Sequence, residues 1–118
     1  MSVNPSTYVL EFSGAADTFV VTTNDITVVD IWVTNQDADT RYLMAFDLTA
    51  APGNGTTPVY SVAVQPGLTS GHAFERGAHF QNGLVLALSS TPATLTATVG
   101  GQGLFGALVR GYSAFGDV

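Results

Sequence analysis

Asp37 and Asp39 stand two residues apart in the stretch TNQDADTRYLMAFD, beside the amide pair Asn35 and Gln36. Two carboxylates that close can hold a cation, carry acid–base chemistry or cap a turn. A calcium loop wants more oxygens at set spacing, as in D-x-[DN]-x-[DN]-G with a distal Glu. Here Gln36 and Ala38 interrupt, no Gly follows and no Glu completes the set. The loop joins two strand-like runs, and Asn and Asp in such a place cap backbone amides. The turn is the better reading, with a weak cation site at Asp37 and Asp39 left open.

The other constellations are thinner. His72, Glu75 and His79 offer three metal-ligating side chains in a short span. On a strand, residues 72 and 79 differ by an odd number and face opposite sides. They read as solvated residues; buried at a contact, the two histidines would instead make assembly pH-sensitive. GQGLFG, Gly101–Gly106, spells G-x-G-x-x-G. A dinucleotide site needs a helix to start there and an acidic residue about 20 positions on. LFGALVRGY reads as strand instead, and the acidic residue is missing, so the glycines mark a hairpin. No G-x-S-x-G elbow is present. Asn54-Gly55-Thr56 spells a glycosylation sequon and reads as a Gly-rich turn. No catalytic residue and no cofactor is expected. Trp32, Tyr42, Tyr60 and Tyr112 suit a sugar-stacking platform, a core or an interface. With Arg110 and Phe115 they form the candidate interface set.

The elements that would position these groups are strands. Short apolar runs rich in Val, Thr, Ile, Tyr and Phe alternate with Gly, Pro and Asn from end to end. They are TYVLEF (7–12), TFVVT (18–22), ITVVDIWVT (26–34), RYLMAFDL (41–48), PVYSVAV (58–64), SGHAF (70–74), LVLALS (84–89), TLTATV (94–99) and LFGALVRGY (104–112). Tyr42, Met44, Phe46 and Leu48 share one face of their run. Val29, Ile31 and Val33 share one face of theirs, opposite Asp30 and Trp32. Leu95, Ala97 and Val99 alternate with threonines. LVLAL is apolar on both faces, which predicts a central strand or one whose outer face meets a neighbour. A short turn near Ala50 or Ala78 is the most helix the pattern allows. The expectation is an all-β chain of about eight strands, a single β-sandwich of jelly-roll or Ig-like form spanning residues 1–118. Its ends, MSVNPS and SAFGDV, are expected to be arms.

Composition narrows the partners. The chain has 118 residues, enough for one core, and no cysteine. Charged residues are 10% of it, against about 25% in an average domain. Arg41, Arg76 and Arg110 are its only basic side chains apart from histidine, and the net charge is −6. Nucleic-acid binding needs clustered Lys and Arg, so it is not expected. A hydrophobic content of 46% argues against disorder. So apolar and uncharged a surface predicts a subunit whose neighbours cover part of it. The first dozen residues lack a secretory pattern, and no apolar run approaches the roughly 18 residues of a membrane span. A soluble protein kept without export is expected.

Two blocks carry a resemblance. One is RYLMAFDLTAAPGNGTTPVYSVAVQPG and the other FQNGLVLALSSTPATLT. The matching positions in the first are Arg41, Tyr42, Leu43, Phe46, Asp47, Pro52, Asn54, Gly55, Pro58, Val59, Ser61, Val64 and Gly67. In the second they are Phe80, Asn82, Gly83, Ser89, Ser90, Thr91, Ala93, Thr94 and Thr96. Over roughly Val33 to Thr98 the chain resembles a group of small tailed-phage structural proteins. The resemblance implies a β-sandwich in a virion and transfers no active site. It points to a decoration or cement subunit on the outer surface of the head, made in the host cytoplasm. The implied partners are the major capsid protein and copies of the chain itself, with a trimer expected from capsid geometry. A glycan-binding fibre or spike sandwich, and a tail or neck subunit, are the alternatives.

Overall fold

Alternation decides how the strands bury their faces, and breaks in alternation decide where they bend. A computed structural model describes residues 8–111. The eight strands are β1 (Tyr8–Ala16), β2 (Thr18–Thr22), β3 (Ile26–Asn35), β4 (Arg41–Phe46), β5 (Tyr60–Val64), β6 (Thr69–Phe80), β7 (Leu84–Ser89) and β8 (Gly103–Arg110). Among the described residues there is no helix, hence none long and apolar enough to cross a membrane. The expected terminal arms, with Tyr112 and Phe115, lie outside the described residues.

Sheet A has the order β1-β8-β3-β6 and sheet B the order β2-β7-β4-β5. Every pairing is antiparallel. β1 pairs with β8, β2 with β7, β3 with β6 and β4 with β5. The chain is thus one long double ribbon rolled into two facing sheets, which is a jelly roll rather than an Ig-like sandwich. Between the sheets lie Ile31 and Val33 of β3, Leu84, Leu86 and Leu88 of β7, and Phe105 of β8, all buried.

Three expectations change. Val29 does not share the face of Ile31: the register breaks between Val28 and Asp30 against both neighbours. Val28 and Ile31 are both buried and three apart, so Val29 is the extra residue of a bulge. SGHAF does not end at Phe74; β6 runs on to Phe80, carrying Ala78 as strand. It absorbs residues 74–77 opposite the same bulge, where Gly77 has φ 81°. TLTATV is not a strand. It makes a single bridge, Ser89 to Ala97, and otherwise lies as a strap across sheet B.

That strap explains LVLAL. The inner side of β7 meets the main core, while Val85 and Ala87 on its outer side join Met44 and Phe46 of β4 beneath Leu95. Tyr42, Leu48 and Ala97 pack around this second cluster. Hydrogen bonds hold the strap down. Ser89, fully buried, accepts at Oγ from the N–H groups of Thr91 and Thr96 at 3.2 and 3.0 Å. Asn54 Oδ1 accepts from Ala97 N–H at 2.9 Å, and Leu95 N–H donates to Thr56 O at 2.9 Å.

Candidate functional site

The acidic loop folds around Asn35, the buried last residue of β3. Its Oδ1 accepts from Asp37 N–H at 2.9 Å. Its amide nitrogen donates to Asp39 O and Val64 O, each at 2.9 Å. Asp37 Oδ1 in turn accepts from Asp39 N–H at 3.2 Å. Arg41 Nε sits 3.0 Å from Asp37 Oδ2, and an Arg41 terminal nitrogen 3.7 Å from Asp39 Oδ2. Burial pushes the Asp37 carboxyl up. The Asp39 N–H and the Arg41 guanidinium outweigh that and hold it below the usual carboxylate range. Both carboxylates therefore serve a turn with one cation, Arg41, already beside them.

Two further aspartates do the same work elsewhere. Asp17, at the corner between β1 and β2, accepts from Thr98 Oγ1 and Gly101 N–H at 2.8 Å and from Gln102 N–H at 3.2 Å. Burial raises its pKa, and these three bonds, led by Gly101, more than reverse the effect, so it lies below 3.8. The first amides of the G-x-G-x-x-G stretch are thus turned toward Asp17. β8 begins at Gly103, so no helix follows. Asp47 accepts from the N–H groups of Gln81, Asn82 and Gly83.

The histidine cluster is dispersed. His72 lies on the side of β6 that faces sheet B, stacked on Tyr60 with centroids 4.3 Å apart and edge-on to Phe74. His79 points outward and meets Asp25. Glu75 is exposed in the bulged stretch. Among the described residues no three of His, Asp and Glu come together as a metal site.

The candidate interface residues divide among three places. Tyr42 is half-buried against the strap on sheet B. Tyr60 stands at the rim with His72. Trp32 and Arg110 share the outer face of sheet A. There the registers align Phe12, Gly106, Trp32 and Gly71 in one row across the four strands. The Trp32 indole lies over Gly106, where an added Cβ would come within 2.1 Å of the ring. Phe12 meets the indole edge-on, centroids 6.0 Å apart. Arg110 sits over the Tyr8 ring at 5.9 Å.

This row is extended by residues outside the sequence-derived set. Tyr8, Leu10 and Phe12 of β1 are 56%, 55% and 64% exposed. Their signal was period two, as Val9 and Glu11 fall on the other side. Leu104 and Leu108 of β8, half-buried, complete the apolar face. No family model, no curated protein and no solved structure matches the chain.

Proposed function

We propose that this chain is a non-enzymatic structural protein of a tailed phage. It would be carried on the outer surface of the head as a decoration or cement subunit, bound to the major capsid protein and to copies of itself. The observation that carries the reading is the apolar outer face of sheet A. A contiguous stripe of large apolar side chains on a soluble β-sandwich marks a surface for another macromolecule. The resemblance over residues 33–98 supplies the virion, and the jelly roll is a fold that viral capsid domains use, which is support by analogy. The action is mechanical. Sheet faces and free strand edges bridge neighbouring capsid subunits, each contact weak and many acting on one lattice. The net charge of −6 suits a position away from packaged DNA.

Quantitative mass spectrometry of purified virions tests this. A copy number comparable to the major capsid protein is expected. A few to a few tens of copies would shift the protein to the tail, neck or fibre, and absence would remove the virion reading. The second reading, a glycan-binding sandwich, draws on the same face, where exposed Phe12 stands beside Trp32. Trp32 fluorescence titrated with host polysaccharide separates the two, because only the glycan reading expects a saturable change.

A further inference from the structure

Each sheet ends in two strands with a free side: β1 and β6 in sheet A, β2 and β5 in sheet B. Free edges invite another strand unless they are short, bulged, charged or flanked by proline. β6 carries Glu75 and Arg76, both exposed, in its bulged middle. β5 has five residues between Pro58 and Pro66, and Ser61 is tied to Pro92 O of the strap. β2 has five residues and a register break after Val20. β1 differs. Its own register break comes only after Phe12, so Tyr8 to Phe12 runs unbroken, with no proline, no basic residue and one carboxylate, Glu11. Among the described residues no strand pairs with its outer side.

We propose that two copies of the chain join by antiparallel pairing of β1 with β1 about a two-fold axis at Leu10. Sheet A would then continue into the partner's sheet A as one eight-stranded sheet. This interface goes beyond the virion reading and does not rest on it.

The strand itself suits a second copy as its occupant. An isologous contact needs a stretch complementary to its own reversal. Tyr8 and Phe12 stand equally far from Leu10, so Tyr8 meets Phe12 of the partner subunit and Leu10 meets Leu10 of the partner subunit. Aromatic and aliphatic side chains directly opposite one another are stabilising cross-strand pairs. Glu11 falls opposite Val9 of the partner subunit, so no two carboxylates are directly paired. The aromatic row of Trp32 and Phe12 then runs on across the junction. A two-fold axis replaces the three-fold expected from capsid geometry. Size limits the strength. Five paired residues make a contact only about 17 Å long, a smaller interface than the standard one of roughly 800 Å² per partner, so a dissociation constant of about ten micromolar or weaker is expected.

The test is sedimentation equilibrium of the full chain up to about millimolar, the upper end of weak association, together with cysteine crosslinking. The chain has no cysteine, so Leu10→Cys introduces the only thiol, at a spacing across the axis that a disulfide can close. Val59→Cys, at a position 62% exposed beside sheet B, is the control. Expected are a monomer–dimer equilibrium, Leu10→Cys dimers forming at least about tenfold faster than Val59→Cys dimers, and association weakened about tenfold by Leu10→Lys, which sets like charges opposite each other. A chain that stays monomeric to millimolar, a trimer mass, or equal crosslinking at both positions would overturn the proposal. Leu10 is exposed, so neither substitution at that position disturbs the core, and unchanged Trp32 fluorescence at low concentration checks this.

Discussion

The outer faces of the two sheets begin alike and end differently. Both carry large apolar side chains pointing away from the main core. On sheet B, Met44, Phe46, Val85 and Ala87 are fully buried, because the strap at residues 90–99 crosses them and Leu95 plugs the centre. On sheet A, Tyr8, Leu10 and Phe12 stay exposed beside a half-buried Trp32. The strap has what a cover needs: an apolar plug and polar anchors in Ser89 and Asn54 that replace the ladder bonds it forgoes. No described segment crosses sheet A in that way. One face is covered by the chain's own strap, and the other stays exposed among the described residues.

The largest test of this contrast removes the plug. Leu95→Ala should cost about 3 kcal/mol, the transfer term plus a cavity over β4 and β7, read from urea unfolding. A loss of less than about 1 kcal/mol would mean the strap covers little. Ser89→Ala comes next. It leaves the N–H groups of Thr91 and Thr96 without their acceptor in a part-buried place, for a loss of about 1–3 kcal/mol in the same measurement.

Asp17, whose bonds to Thr98, Gly101 and Gln102 tie down the end of the strap, adds a pH signature. Its folded-state pKa is depressed, so its contribution is present above the unfolded value near 3.8 and is lost as pH falls through the lower folded value. Asp17→Asn should therefore flatten the acid limb of thermal stability below about pH 4 relative to the unmodified chain. An unchanged acid limb would contradict the assigned bonds. The smallest effect belongs to the open face. Phe12→Ser should change monomer stability by no more than about 0.5 kcal/mol, measured by unfolding at low concentration, despite removing a large aromatic group.

Local pattern carried a good deal of this in the sequence. Turn residues at regular spacing and period-two runs identified the all-β class and most strand cores. LVLAL, apolar on both faces, read as a central strand or one whose outer face meets a neighbour, and it is central in sheet B with the chain's own strap over its outer side. The acidic loop was readable as a turn, since an incomplete ligand set and flanking strands are both local facts. Less legible was TLTATV, whose alternation matches a strand but whose backbone bonds are split between the side chains of Ser89 and Asn54 and scattered backbone partners such as Thr56 and Leu88. The bulge at Val29 was also hidden, because Val28, Val29 and Ile31 are alike in chemistry and only pairing tells which is extra. The candidate interface set combined Trp32 and Arg110, which share a face, with Tyr42 and Tyr60, which lie elsewhere. Aromatic identity does not say which sheet a residue belongs to.

Residue types and their period settled that this chain forms strands, where many of them turn, and that it has more apolar faces than one core uses. Those properties depend on neighbours within a few positions, so they can be read along the chain. Which strand became a free edge, which face received the strap and which aromatics met were settled by the roll of the double ribbon. Those outcomes depend on contacts between residues far apart in sequence, such as Phe12 with Trp32, Asp17 with Gly101 and Asn54 with Ala97. Such pairs form only when the whole sandwich closes, because each needs a register that several strands impose together.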